Sequence, residues 1–216
     1  MGKTVYSLIL SSEVVAAVDE LAARQGYSRS ALVNHILAEY AGAASPQRQA
    51  SQILEALRQQ AGNQGLRPQA ASAGSLTLRT AMNYKYNPAL SYTVALQDDA
   101  ETLGRLRVSL RSQNSELLDY FNHFFQLWGV LESRYLESPP PETAADRQAK
   151  RYVRPLRRPP GTAGGEQLGA AIAAYIERLD LCLRTFMDNC ENAAEAVSKT
   201  ERIYLSHPQD GLGGFF

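Results

Sequence analysis

The sequence predicts an α+β protein built in two parts. Three observations carry that reading. An apolar, β-prone run at residues 5–10 leads straight into two short segments with helical spacing, all within the first forty-odd residues. Between residues 76 and 111 the apolar period drops to two, as in a half-buried antiparallel sheet. Long segments follow whose apolar residues return to the helical period. The expectation is an N-terminal strand-helix-helix module for dimerisation, then a small antiparallel sheet packed with long helices.

The N-terminal elements follow from local chemistry. Ser11 or Ser12 can cap a helix, and Glu13 places negative charge in its first turn. Val14, Val18, Leu21 and Ala22 fall on one face of it. Gly26 ends it, as glycine does just past a helix C-terminus. Ser28 caps a second helix whose apolar face is Leu32, Ile36, Leu37 and Tyr40. A unit this short buries no adequate core by itself and has no cysteine or metal-ligand cluster to staple it. Its apolar face is therefore expected to belong to a homodimer.

Residues 45–74 are rich in Ala, Gln, Ser and Gly and read as a linker with one short helix around Ile53, Leu54 and Leu57. Strand periodicity follows. Leu76 and Leu78 alternate with Thr77 and Arg79. Tyr92, Val94 and Leu96 alternate with Thr93 and Ala95. Leu106, Val108 and Leu110 alternate with Arg105, Arg107, Ser109 and Arg111. Asn87-Pro88 and Asp98-Asp99 supply turns.

Asn114 or Ser115 caps a helix to about Leu136, with Leu117, Phe121, Phe124, Phe125, Trp128, Leu131 and Tyr135 as a face that covers the sheet. A Pro- and Arg-rich loop is expected at 138–165. One long helix is expected from about 166 to 205, with a heptad-like seam of Leu168, Ile172, Tyr175, Leu179, Cys182 and Phe186. That seam can fold back on the sheet or pair across a dimer. The expected organisation is a module at 1–44, the linker at 45–74, an α+β domain at 75–205 and a mobile tail at 206–216.

The order at residues 4–42 resembles the ribbon-helix-helix superfamily of DNA-binding repressors, the MetJ, Arc and CopG class. A six-residue strand enters a capped helix, Gly26 makes the turn, and Tyr-Ser-Arg-Ser-Ala-Leu-Val opens the second helix. The resemblance implies a two-stranded ribbon, one strand from each subunit, inserted in the major groove of double-stranded DNA. Lys3, Val5, Ser7 and Ile9 then face the bases. Tyr6, Leu8 and Leu10 face the dimer core, with Val18, Leu21, Leu32 and Ile36. Ser28, Arg29 and Ser30 grip a phosphate at the N-terminus of the second helix. Val5 and Ile9 depart from the long polar side chains usual at the base-facing positions, and they cannot hydrogen-bond a base.

The resemblance implies a homodimeric, sequence-specific repressor. The alternatives are an accessory DNA-binding factor for plasmid transfer or partition, whose C-terminal domain holds a protein partner, and a ribbon-dimerised scaffold that binds no DNA. The first 45 residues carry Lys3, Arg24 and Arg29 against Glu13, Asp19, Glu20 and Glu39, too little positive charge for strong phosphate binding. An auxiliary basic patch of Arg147, Lys150, Arg151, Arg154, Arg157 and Arg158 can supply more, unless that run is a solvated linker.

Catalysis finds no support. His35, His123 and His207 lie in three different segments and suggest no metal site. Cys182 and Cys190 fall about two turns apart on one helix and do not form a disulfide framework. Gly-Thr-Ala-Gly-Gly-Glu at 161–166 fits neither a phosphate loop nor a dinucleotide fingerprint. No cofactor is implied. Lysine plus arginine and aspartate plus glutamate both number 22, so only a local patch bears on nucleic-acid binding. With no signal peptide or membrane span read in it, the chain is expected in the cytoplasm, not as an enzyme.

Overall fold

The computed structural model describes residues 7–40, 46–63, 65–82, 84, 87–97, 102–136, 144–146, 151–159 and 163–206. The protein is α+β, with six helices and a six-stranded antiparallel sheet among the described residues. It divides into two compact units, Met1–Gln49 and Ala50–Phe216.

The first unit is a helical pair. α1 (Ser12–Gln25) starts where the Ser11 hydroxyl accepts the Val14 N–H at 3.4 Å. It stops at Gly26, whose φ of 71° is the left-handed conformation that glycine adopts without steric cost. α2 (Arg29–Tyr40) is capped by Ser28, whose hydroxyl accepts from the Ala31 N–H at 3.3 Å. The core shared by these helices is small: Val18, Ala22 and Leu32, with Val33 packed against it. Leu8, Ile9, Leu10, Val14, Leu21, Tyr27, Ile36, Leu37 and Tyr40 remain exposed. The described residues ahead of α1, 7–11, form no strand.

The second unit holds the main core. α3 (Pro46–Asn63) buries Ile53, Leu54, Leu57 and Ala61 in it. The segment anticipated as a linker is thus an 18-residue helix with a core face, followed by a strand. The strands are β1 (Arg67–Ser72), β2 (Ser75–Ala81), β3 (Ala89–Leu96), β4 (Thr102–Arg111), β5 (Ala144–Asp146) and β6 (Arg151–Arg157). Their spatial order is β1-β2-β3-β4-β6-β5, antiparallel throughout. β2, β3 and β4 match the period-two segments. β5 and β6 occupy the stretch expected as a Pro/Arg-rich loop.

The helices cover one face of the sheet. α4 (Ser115–Tyr135), capped by Asn114, stacks Phe125 on Tyr152 of β6 with ring centroids 4.0 Å apart. α5 (Gly165–Asp188) receives a 2.8 Å hydrogen bond from the Tyr92 hydroxyl of β3 to Asp180. Its Arg184 donates to the Thr80 hydroxyl at 2.9 Å and the Ala81 carbonyl at 3.1 Å. All six seam residues, Leu168, Ile172, Tyr175, Leu179, Cys182 and Phe186, are buried in this unit's own core. The single helix expected over 166–205 is broken at 189–192. There the Asn192 side chain accepts from the Glu195 N–H at 3.3 Å and caps α6 (Ala193–Ser206). The tail expected at 206–216 lies, beyond Ser206, outside the described residues. No described helix is long and apolar enough to cross a membrane.

Candidate nucleic-acid interface

Strand period places opposite chemistries on the two faces of the sheet. The inward positions of β2, β3 and β4 include Leu76, Leu78, Leu90, Tyr92, Val94, Leu106, Val108 and Leu110, which are buried. The outward positions fall into cross-strand rows fixed by register. Arg67 of β1 faces Arg79 of β2; Arg79 faces Ser91, Ser91 faces Ser109, and Ser109 faces Arg151. In the next row Thr77 faces Thr93, Thr93 faces Arg107, and Arg107 faces Val153. Arg105 sits between Ala95 and Pro155, and Arg111 opposite Ala89.

The result is a basic face; among the described strand positions its one acid is Asp146 of β5, in register with Arg151 at the sheet edge. None of β1, β2, β3, β4 and β6 contains an aspartate or glutamate. Arg67, Arg105, Arg107 and Arg111 are exposed and Arg79 is half-buried. None of these five side chains has a hydrogen-bond or ion-pair partner among the described residues. Arg151 and Arg157 share the face. Thr77 and Thr93 join hydroxyls across it at 3.1 Å.

Two arginines directly opposite each other, Arg67 and Arg79, repel, and like-charged cross-strand pairs are destabilising. An anion lying over the row removes that penalty. Guanidinium groups take phosphate oxygens in bidentate fashion, and serine and threonine hydroxyls add further donors. No aromatic side chain stands at an outward position of β2, β3, β4 or β6: Tyr92 and Tyr152 both point into the core. The outward positions of these strands thus offer guanidinium and hydroxyl donors and no ring on which an unpaired base could stack.

The residues expected from sequence fall differently. Ser28, Arg29 and Ser30 gather at the start of α2, but Arg29 is bound to Asp19 through both carboxylate oxygens. That hydrogen bond holds the Asp19 carboxyl below its ordinary range and engages the cation meant for phosphate. Ser7 and Ile9 are exposed and lie in no strand of the single chain. Of the expected dimer-core residues, Val18 and Leu32 are buried within the unit itself, whereas Leu8, Leu10, Leu21 and Ile36 are exposed. Lys3, Val5, Tyr6, Arg147 and Lys150 lie outside the described residues.

The auxiliary patch is corrected by strand parity. Arg151 and Arg157 point outward, with Arg158 just past the strand. Arg154 points inward, is 1% exposed and pairs with Glu132 at 3.0 Å. It is a core residue and reaches no ligand on the open face.

Arg67, Arg79, Arg105, Arg107 and Arg111 were not anticipated as a site. The signal was present in part, because Arg105, Arg107 and Arg111 mark the wet side of their strand in sequence. What sequence did not supply was the register that adds Arg67 and Arg79 from other strands.

Among the described residues no group of three or more His, Cys, Asp or Glu is placed to hold a metal ion. Cys182 is buried, and burial pushes its thiol up to about 12.

Comparison with known proteins overturns the expected ribbon-helix-helix resemblance. The family model that matches is that of the linker histone H1 and H5 family, over residues 10–78. The matched span omits nearly all of the expected ribbon strand and runs on through α1, α2, α3 and β1 to β2, three helices followed by a hairpin. It covers about a third of the 216 residues. No curated protein and no solved structure matches the chain. The chain is thus similar to linker histones over residues 10–78, and the remainder of the α+β fold lies beyond that likeness.

Proposed function

We propose that the protein binds double-stranded DNA through the open arginine face of its sheet, chiefly by phosphate contacts. The observation that carries this is the charge segregation. A chain with equal numbers of acidic and basic residues concentrates Arg67, Arg79, Arg105, Arg107 and Arg111 on one face of β1, β2 and β4, strands that contain no aspartate or glutamate. The linker-histone likeness at residues 10–78 supports the same reading and includes one of those arginines, Arg67, with Arg79 just beyond its end. A duplex suits the face better than a single strand, because the described strands carry no outward aromatic ring for bases to stack on.

Phosphate contacts position a protein without reading sequence. The expected affinity is therefore strongly salt-dependent and weakly sequence-selective. A repressor role requires base-edge contacts beyond these arginines. Fluorescence anisotropy with a labelled duplex and a single strand of equal length, across a salt series, tests the proposal. With five arginines each neutralising a phosphate, log K falls with log salt at a slope of about −4 to −5. Absence of duplex binding at low salt, or affinity indifferent to salt, overturns it.

In this proposal the protein is a homodimer joined through the helical pair. Val18, Ala22 and Leu32 are too small a core to hold two helices of 14 and 12 residues. Nine large apolar side chains of this unit stay exposed, from Leu8 to Tyr40. Such a patch suits the roughly 800 Å² per partner of a stable interface. A unit that needs a partner in order to fold is best served by one always present, a second copy of the chain. Two copies present two arginine faces, and linked binding multiplies weak contacts.

A further inference from the structure

We infer that the interior between α5 and α6 holds a small monovalent anion, of the size of chloride, bound by Arg178, Tyr204 and Thr200. This goes beyond the DNA reading and is independent of it.

Arg178 is 2% exposed, yet its Nε, Nη1 and Nη2 are all buried without a hydrogen-bond partner. The Tyr204 hydroxyl and the Thr200 hydroxyl are buried and unpartnered as well. Two contacts bring the helices that carry these groups together. Arg178 and Cys182 lie one turn apart on α5, and Thr200 and Tyr204 one turn apart on α6. The Cys182 thiol donates to the Thr200 carbonyl at 3.8 Å, and the Arg178 guanidinium lies 4.8 Å from the centre of the Tyr204 ring. The Arg154 guanidinium is close by, with both arginines against the Tyr175 ring at 4.5 and 5.8 Å, and its Nη1 is also unpartnered.

Every orphan here is an N–H or O–H, so what is missing is an acceptor. Water accepts hydrogen bonds, but charge favours an anion. Among the described residues the buried charged side chains are Glu132, Arg154 and Arg178. Glu132 is already committed to Arg154 at 3.0 Å and to the Tyr175 hydroxyl at 2.9 Å. Arginine does not shed its proton, so one buried positive charge remains without a counter-charge. Aromatic faces offset part of that cost, and an uncompensated buried ion retains most of it. A halide accepts N–H and O–H donors from several directions and occupies about the space of one water.

The test is thermal unfolding of the full chain at constant ionic strength, with gluconate replaced stepwise by chloride or bromide. Linked binding predicts a Tm that rises by several degrees over a hundredfold increase in halide. The rise should vanish in Arg178→Met and shrink in Tyr204→Phe. Crystals grown in bromide should show an anomalous peak within hydrogen-bonding distance of the Arg178 guanidinium, a readout that holds even if Arg178→Met fails to fold. A halide response identical in Arg178→Met overturns the inference. So does a bromide-grown crystal with water, or nothing, against Arg178.

Discussion

Arg154 of β6 and Glu132 of α4 form an ion pair at 3.0 Å with side chains only 1% and 2% exposed. The pair anchors a chain of hydrogen bonds. The Trp128 indole N–H donates to the Tyr175 hydroxyl at 2.9 Å, and that hydroxyl donates to the Glu132 carboxylate at 2.9 Å. Burial pushes the Tyr175 phenol well above its usual range, so it stays a neutral donor. Three elements, α4, β6 and α5, are thereby tied together inside the core.

Removing one partner of this pair leaves the other charge buried and alone. Glu132→Leu is expected to cost about 3–5 kcal/mol, read from urea unfolding. Replacing both residues with apolar side chains, Glu132→Leu with Arg154→Met, should cost clearly less. A double variant as unstable as the single one would contradict this account of the pair.

Gly169 marks where α5 crosses α3. A Cβ there would stand 2.4 Å from the Ile53 carbonyl oxygen and 2.7 Å from the Ala56 Cβ. Gly169→Ala is expected to lower stability by about 1–3 kcal/mol by forcing the helices apart. At Gly62, within α3, an added methyl would meet nothing within 4 Å, so Gly62→Ala should gain about 0.5–1 kcal/mol from helix propensity. Paired melting curves check both signs.

Much of this core was legible in sequence, because its signals are local. The alternation of Leu76, Leu78, Tyr92, Val94, Leu106 and Val108 marks strands, and the spacing of Phe121, Phe124, Phe125 and Trp128 marks the helix above them. β1 gave no such signal: Arg-Pro-Gln-Ala-Ala-Ser is exposed throughout, contains a proline and pairs through a register shift. β6 reads as a basic loop because Arg154 stands at an inward position that period two assigns to an apolar residue, and only Glu132, 22 residues earlier, explains it. The arginine face was hidden for a similar reason. Its members are separated in sequence and reach one face only through the pairing of β1 with β2, β2 with β3 and β3 with β4.

The two cysteines should separate by reactivity. Cys182 is buried, with its thiol pushed up to about 12 by burial, whereas Cys190 is partly exposed. Since the thiolate is the reactive form, a thiol reagent at pH 8 should label one cysteine in the native protein and two after denaturation. Native labelling of Cys182, identified by peptide mass, would contradict its placement.

The exposed apolar surface of the helical pair gives a separate test. Ile36→Asp puts a charge into the proposed interface and should weaken self-association at least tenfold by sedimentation velocity. An unchanged sedimentation profile would remove the helical pair from the interface.

Duplex affinity across a salt series, for the wild type and for Arg105→Gln with Arg107→Gln, probes phosphate binding by the arginine face. Both side chains are exposed and unpartnered among the described residues, so the double variant should keep its fold and its circular dichroism. The double variant should bind all duplex sequences more weakly and alike, with a salt slope shallower by about two, roughly one unit for each phosphate no longer neutralised. A folded double variant with wild-type affinity and an unchanged slope would contradict phosphate binding by this face.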